Sequence, residues 1–395
     1  MRSTILEPNP NMAHSLRTFW RRISDGIEIQ QLWAQFQAEA RASYELYSRE
    51  VDSTRLEGES RRKRVLRIVR GLFWAMMTKL SPARRVLFLI ALVLLWFPGL
   101  SLRFEETGFQ FQMQNLAFFG GVALLILFAL ELADRVMMKR DLEIAREIQS
   151  WMMPTAAPVV PGVDIAFATR PANTVAGDYY DAFFRPTAGD SEPQSPAPGS
   201  ERLLLVVADV AGKSIPAALL MATLQASLKT LAGLPTSLLE LVGRLNQYAC
   251  AQNLGGRRFT TAFLAELDPA TGRLTYVNAG HNWPVLRQTS GKMERLEAGG
   301  LPLGIMPQAS YDCGNTSLAA GDVLLIFTDG LVEAEDAKEQ EFGEARMLGI
   351  LNGVSGKGAA DVLSQLMASV DTFVGLERQH DDITCMVVRF DKAGV

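Results

Sequence analysis

Two uncharged apolar runs lie close together in the chain. The first, Val86 to Leu102, has 17 residues, which is about 26 Å as a helix and near the lower limit for crossing a bilayer. The second, Leu116 to Leu130, must extend to about 113–131 to reach across. The pattern predicts a transmembrane hairpin over 81–130. The alternative is a pair of helices buried in a protein core.

Charges flank the two runs asymmetrically. The basic residues lie on the outer sides, at Lys79, Arg84, Arg85, Arg135, Lys139 and Arg140. The stretch between the two runs contains one basic residue, Arg103, and two acidic residues, Glu105 and Glu106. Because positive charge favours the cytoplasmic side, we expect both ends to be cytoplasmic in a multi-pass protein of the inner (plasma) membrane. A cleavable signal peptide is not indicated, since the first run begins too late.

Residues 1–80 form an N-terminal cytoplasmic segment with a helical pattern. The stretch from Ile27 to Glu50 contains neither glycine nor proline. Six basic residues precede the membrane, at Arg61, Arg62, Lys63, Arg64, Arg67 and Arg70. They either lie on anionic lipid headgroups or form a solvated helix face.

A helix is predicted to leave the membrane over residues 131–153, because no glycine or proline occurs before Pro154. Five residues at steps of three and four form one narrow stripe on this helix, at Met138, Leu142, Ala145, Gln149 and Met152. This stripe fits the seam of a dimeric coiled coil, which would make the protein a homodimer. Alternatively, the stripe packs on the downstream domain.

From residue 154 to residue 392 short strand-like runs alternate with helical stretches. The strands are predicted at Val163 to Thr169, Leu203 to Ala208, Phe259 to Leu267, Leu274 to Asn278, Val323 to Thr328 and Ile383 to Phe390. The helices are predicted near Pro216 to Ala232, Ser237 to Gln252 and Ala360 to Val374. The turn at 268–272 joins two strands directly, so the sheet is at least partly antiparallel and the class is α+β. Arg185 to Arg202 is rich in Pro, Ser and Gly and predicts a surface loop.

Composition narrows the possible functions. Of the residues, 48% are hydrophobic and 21% charged, with a net charge of -4, as expected for a folded protein with an apolar insert. Nothing in the charge points to a nucleic-acid partner. The three cysteines, Cys250, Cys313 and Cys385, form no C-x-x-C pair, so neither a zinc site nor a disulfide framework is indicated.

Acidic residues stand at the ends of several predicted strands, at Asp178, Asp209, Asp329, Asp381 and Asp382. Each one alone is a common turn former. If the strands share a sheet, however, these carboxylates converge, and they cannot all stay ionised unless a cation compensates them. Oxygen ligands without His or Cys favour Mg²⁺ or Mn²⁺. Two such ions can activate water and hold phosphoryl oxygens, so a two-metal hydrolase is expected.

Six ordered motifs resemble a known enzyme family. They are DLEIAREIQSWMMP (141–154), RPANTVAGDYYD (170–181), DVAGKSIPAALLMA (209–222), YVNAGHNWP (276–284), TDG (328–330) and HDDIT (380–384). Together they resemble the bacterial type 2C-like (PPM) serine/threonine phosphatases of the SpoIIE and RsbU branch, over about 140–392. The resemblance implies an α-β-β-α sandwich with two metal ions at the sheet edge. It also implies a phosphorylated antagonist of an anti-sigma factor as the substrate.

Position by position, the resemblance implies that Asp209 bridges both ions and that the Val210 carbonyl ligates one of them. Asp178 would serve the Asp209 side, directly or through water. Asp329 and Asp381 would hold the other ion. Either acid of the Asp381 and Asp382 pair could face the metal, and this choice stays open.

Two other interpretations of the sequence have less support. The stretch from Ala211 to Ser214 imitates the end of a P-loop, but the required glycine is replaced by Val207 inside a strand. A phosphatase-like domain that only binds a partner would be expected to lack one of the acids, and none is missing. His281 is expected to be structural, and Arg170 to form a surface salt bridge.

Overall fold

The computed structural model describes residues 70–391, apart from 72, 75–76, 98, 104–109, 187–200, 214 and 253–257. The predictions for 1–69, for most of the loop at 185–202 and for Ser214 lie outside the described residues. The chain divides into two compact units, Met1–Arg135 and Val136–Val395.

In the first unit, helix α1 (Pro82–Trp96) is followed by an antiparallel pair of strands, β1 (Gly99–Arg103) and β2 (Gln110–Gln114). Helix α2 (Leu116–Met152) then begins and continues into the second unit. The helix predicted over 86–102 therefore ends six residues early. The reason is local, since Phe97 precedes a proline and is held in an extended conformation.

The two helices of this unit pack closely at Gly120. A Cβ atom at Gly120 would lie 2.9 Å from the carbonyl oxygen of Ala91, and Ala91 is fully buried. Arg84 forms ion pairs with Glu131 and Asp134. Because Gly120 has no side chain, the two backbones can come close there. The ion pairs of Arg84 join the first turn of α1 to the middle of α2.

Two described helices are long and apolar enough to cross a membrane by length and composition, α2 and α3 (Ile215–Ala232). In α3 one face is buried in the core of the second unit, through residues that include Met221 and Leu228. In α2 large apolar side chains such as Phe118 and Leu125 are exposed. An exposed apolar surface of this kind is typical of a helix that faces lipid.

The second unit contains two β-sheets. The strands of the first are β4 (Tyr179–Pro186), β5 (Glu201–Val210), β6 (Thr260–Leu267), β7 (Arg273–Ala279), β10 (Gly299–Gly300) and β11 (Gly314–Ser317). Their order is β10-β7-β6-β5-β4, with β11 also paired to β7. The strands of the second are β3 (Val163–Arg170), β8 (Val285–Arg287), β9 (Met293–Arg295), β12 (Val323–Phe327) and β13 (Ile383–Phe390), in the order β3-β13-β12-β8-β9.

Helices cover the outer face of each sheet. Helices α3 and α4 (Leu238–Ala251) pack on the first sheet, whereas α5 (Gly343–Asn352) and α6 (Ala359–Val374) pack on the second. A third buried cluster, with Phe263 and Met386 among its members, fills the space between the sheets. The architecture is the α-β-β-α sandwich that the sequence predicted. Strands β10 and β7 are parallel, and the other named strand pairs are antiparallel.

The last turns of α2 pack against the rest of the second unit. Gln149 is buried, and Leu142 and Ala145 are half-buried. The Gln149 side chain donates from Nε2 to the Ala176 carbonyl (2.7 Å) and accepts from the Ala176 amide (3.0 Å). At Gln149 the predicted stripe therefore packs on the downstream domain. Met138, at the other end of the stripe, is exposed.

Candidate active site

Asp209 and Val210 lie at the end of β5, which is paired with β4 and β6 in the first sheet. The strand is an apolar run whose residues from Leu203 to Ala208 are buried, so its first polar residue emerges where the sheet ends. The chain then turns at Gly212, which has a φ of +114°, a value that disfavours residues with a Cβ atom. Val207 is buried inside β5, which excludes a P-loop at this turn.

Asp178 precedes β4, the neighbouring strand, and is 1% exposed. Its Oδ2 accepts a hydrogen bond from the Thr328 hydroxyl (3.0 Å). The adjacent Gly177 comes close to the Val210 carbonyl, because a Cβ atom here would be 3.1 Å from that oxygen. Burial, and then the charge of Asp209, raise the pKa of Asp178 well above its usual value.

Asp329 follows β12 in the second sheet and begins a short 3₁₀ turn, Asp329–Leu331. A Cβ atom at Gly330 would lie 2.1 Å from the Asp382 carbonyl oxygen, so this glycine permits close contact between the two segments. Burial, followed by the charge of Asp381, raises the pKa of Asp329, and the charge of Lys213 opposes that shift.

Asp381 and Asp382 precede β13, but their carboxylates have different partners. Asp382 accepts hydrogen bonds from the amides of Ala172 and Gly177, both at 2.7 Å. It therefore fixes the loop that carries Asp178. The Asp381 carboxylate instead contacts Lys213 at 2.9 Å, and its charge raises the pKa values of Asp209 and Asp329.

The five carboxylates act on one another electrostatically. Burial raises the pKa of Asp209 to about 7, and the charges of Asp329, Asp381 and Asp382 contribute to the shift. Acids that the sequence assigned to separate strand ends are therefore neighbours. The acids converge although their strands do not share one sheet, since Asp178 and Asp209 come from the first sheet and the other three from the second. The sandwich brings the ends of two sheets together.

The chemistry of this cluster fits a divalent cation. Its donors are carboxylate oxygens, which are the ligands of Mg²⁺ and Mn²⁺. Burial, and then the charges of neighbouring acids, raise the pKa values of Asp178 and Asp209, so a cation would favour their ionised forms. Within the described residues, however, no group of three or more acidic, histidine or cysteine side chains already has the arrangement of a metal site. Some adjustment of side chains would have to accompany binding.

Two further side chains have the structural roles expected of them. His281 is buried, and its Nδ1 lies 3.0 Å from the Thr261 hydroxyl. Burial lowers the pKa of His281 to about 4, so its ring is neutral. Arg170 pairs with Asp371 on the surface.

Sequence reasoning missed three residues beside the cluster. Thr328 binds Asp178, Lys213 binds Asp381, and Gln149 binds the loop before Asp178. Thr328 and Lys213 lie inside two of the six motifs, close to acids. For these two residues the partner is more than 140 positions away in the chain, and no local pattern indicates such contacts.

Comparisons with known proteins agree with this geometry. A family model, Stage II sporulation protein E (SpoIIE), matches residues 199–391. The phosphoserine phosphatase RsbU of Bacillus subtilis is 28% identical over 254 residues, which is 64% of this chain and 70% of RsbU. Protein IcfG of a Synechocystis strain is 26% identical over 291 residues, 66% of this chain but 43% of IcfG. The chain thus spans less than half the length of IcfG.

Solved structures show the same fold. The SiaA-PP2C domain of Pseudomonas aeruginosa superposes with a TM-score of 0.55 at 21% identity, covering 66% of this chain and 99% of that domain. The RsbU and RsbW domains of a Mycobacterium tuberculosis protein superpose with a TM-score of 0.50 at 24% identity, covering 62% and 64%. The sandwich of the second unit is therefore a PP2C fold.

Proposed function

We propose, from a C-terminal domain that belongs to the SpoIIE phosphatase family, that this protein is a metal-dependent protein serine/threonine phosphatase. The observation that carries the proposal is the cluster of five carboxylates at the meeting edges of the two sheets, with the pKa of Asp209 raised to about 7. A cluster of this charge would repel a phosphate dianion by itself. A cation that binds the acids would remove that repulsion.

Two ions, Mg²⁺ or Mn²⁺, would be held by Asp209, which would serve both, with the Val210 carbonyl and Asp178 on one side and Asp329 and Asp381 on the other. Bound there, they would supply the polarisation of phosphoryl oxygens and the acidification of water that phosphate ester hydrolysis requires. We assign the metal role to Asp381 over Asp382, because the charge of Asp381 acts on both Asp209 and Asp329, whereas the Asp382 carboxylate holds the loop before Asp178 through the amides of Ala172 and Gly177.

The remaining residues of the site act as supports in this proposal. The Thr328 hydroxyl donates to Asp178 and accepts from the Thr384 amide at 2.9 Å. One hydroxyl thus links an acid of the first sheet to the beginning of β13. Asp382 connects the same two regions from the other side. These bonds restrict how far the carboxylates can move apart, and a preorganised site loses less free energy when its ligand binds.

The substrate class follows from the relatives. RsbU and RsbP of Bacillus subtilis are named phosphoserine phosphatases. For this chain we propose a phosphorylated signalling protein, an antagonist of an anti-sigma factor, as the substrate. The full chain should release phosphate from phosphoserine and phosphothreonine peptides in Mn²⁺ or Mg²⁺, with phosphotyrosine peptides as the control. Equal rates on all three would refute the serine/threonine assignment.

An alternative is a catalytically weak domain that binds a partner at the membrane. It would retain a phosphoprotein without hydrolysing it. The same peptide assay separates the two functions, because the alternative predicts binding with no phosphate release. The presence of all five acids favours the enzyme.

We also propose that α1 and α2 anchor the protein in the inner membrane with both ends cytoplasmic. The exposed apolar side chains of α2, among them Phe118 and Leu125, support this placement, and so does the basic flank that includes Arg85 and Arg135. Reporter fusions after residues 75 and 160 should read cytoplasmic, and one at residue 109 should read external. A cytoplasmic reading at 109 would refute the hairpin.

A homodimer is part of the proposal. Among the exposed apolar residues of α2, four follow steps of seven, four and three, at Met137, Ile144, Ile148 and Trp151. This spacing suits the seam of a two-helix coiled coil. It lies on a different face from Gln149, so one helix could contact a second copy and its own domain at the same time.

A further inference from the structure

A lysine side chain projects into the acidic cluster. The Nζ atom of Lys213 lies 2.9 Å from Oδ2 of Asp381 and donates a 2.6 Å hydrogen bond to the His380 carbonyl oxygen. Its charge also acts on Asp329, the other acid of that half of the cluster. The ammonium therefore stands beside the two acids to which we assigned one of the metal ions.

The backbone directs Lys213 toward that position. Strand β5 belongs to the first sheet, whereas Asp381 belongs to the second. The turn at Gly212, with its φ of +114°, carries the chain out of β5, and Lys213 follows directly. The contact between Lys213 and Asp381 thus joins segments that follow or precede strands of the two different sheets.

The same contact can open without disturbing the core. The Lys213 side chain is 52% exposed and that of Asp381 is 38% exposed. A half-exposed ion pair contributes little to stability, and an ammonium group is readily hydrated when it leaves its partner. The flexible lysine side chain can move into solvent while Asp381 stays in place.

We propose that Lys213 is a built-in counter-cation of the Asp329 and Asp381 half of the site, which a divalent metal ion must displace. The inference rests on the proposed function, since it presupposes that these acids bind metal. An ammonium and a metal ion cannot both approach the same Asp381 oxygens without mutual repulsion. Lys213 therefore weakens metal binding at this half and offsets part of the negative charge of the acids until a metal arrives.

The test is Mn²⁺ binding to the full chain, followed through the electron paramagnetic resonance signal of free Mn²⁺. Lys213→Gln should bind Mn²⁺ about two- to ten-fold more tightly at one of its sites, because the competing charge is gone. Lys213→Arg, which keeps the charge, should stay near wild type. Lys292→Gln is the matched control, since Lys292 is exposed in the turn between β8 and β9.

A second pair of variants links the effect to Asp381. In an Asp381→Asn background, adding Lys213→Gln should no longer change the affinity for Mn²⁺. Unchanged or weaker Mn²⁺ binding in Lys213→Gln alone would overturn the inference while leaving the phosphatase proposal intact. A wild-type chain that binds no Mn²⁺ would overturn both, so the two failures can be told apart.

Discussion

Asp209→Asn is expected to lower the rate of phosphate release by several powers of ten while the protein stays folded. Asp209 is the acid proposed to serve both metal ions, and asparagine keeps its shape but not its charge. The fold should tolerate the change for a physical reason. Because the pKa of Asp209 is raised to about 7 in the native state, its ionised form opposes folding, and that penalty grows as the pH rises from the usual range of an Asp to about 7 and is constant above it. A neutral amide carries no such penalty.

The Asp209→Asn substitution should therefore lower activity without lowering stability. In metal-free protein above pH 7, the melting temperature of Asp209→Asn should equal or exceed that of wild type. Asp312→Asn is the matched control, since Asp312 is exposed and lies outside the cluster. Full activity in Asp209→Asn would contradict the metal model, and a large drop in melting temperature would show that the acid has a structural role.

Gln149→Leu is expected to produce the second large effect, a fall in activity of about ten-fold or more. The change leaves the Ala176 amide and carbonyl without their side-chain partner, at a cost of about 1–3 kcal/mol for each buried group. Ala176 lies two residues before Asp178, and Gly177 between them donates to Asp382. Loosening this loop should reduce both kcat and the affinity for Mn²⁺.

A different face of the same helix carries the proposed dimer seam. Ile148 is adjacent to Gln149 in sequence but exposed. Ile148→Glu should lower the dimer content, measured by light scattering in detergent, because it places like charges in the proposed seam. If activity falls together with the dimer, α2 transmits the state of the dimer to the site, and a coupling of about 1–3 kcal/mol corresponds to roughly a 5- to 150-fold change. If the other variant, Gln149→Leu, kept wild-type activity, α2 would connect parts of the chain without influencing the site.

Local patterns in the sequence predicted the α+β class and the acids at the strand ends, whereas the α-β-β-α sandwich was implied by the resemblance of the six motifs to a known family. Apolar strands that end in Asp can be recognised from the chain alone, and Asp209 and Asp329 were identified in this way. The assignment of strands to sheets could not be predicted, since the pairing of β13 with β3 joins residues more than 200 positions apart. The acids consequently converge from two sheets and not from one.

Two other differences have equally specific causes. Helical periodicity placed Leu142, Ala145 and Gln149 on one face of α2, but periodicity does not identify what that face contacts. The roles of Asp381 and Asp382 depend on which carboxylate meets the amides of Ala172 and Gly177, which only the folded loop decides. The early end of α1 was readable in principle, because Pro98 stands inside the predicted span.

The central claim is that the five carboxylates form a metal-dependent phosphatase site. Its most direct test is phosphate release from a phosphoserine protein by the full chain, measured with Mn²⁺, after chelator, and after Mn²⁺ is restored. We expect release with Mn²⁺, none with chelator, and recovery when the metal returns. Hydrolysis that continues undiminished in chelator would contradict a metal-dependent site. A chain that hydrolyses no phosphoserine protein under any of the three conditions would contradict the phosphatase activity.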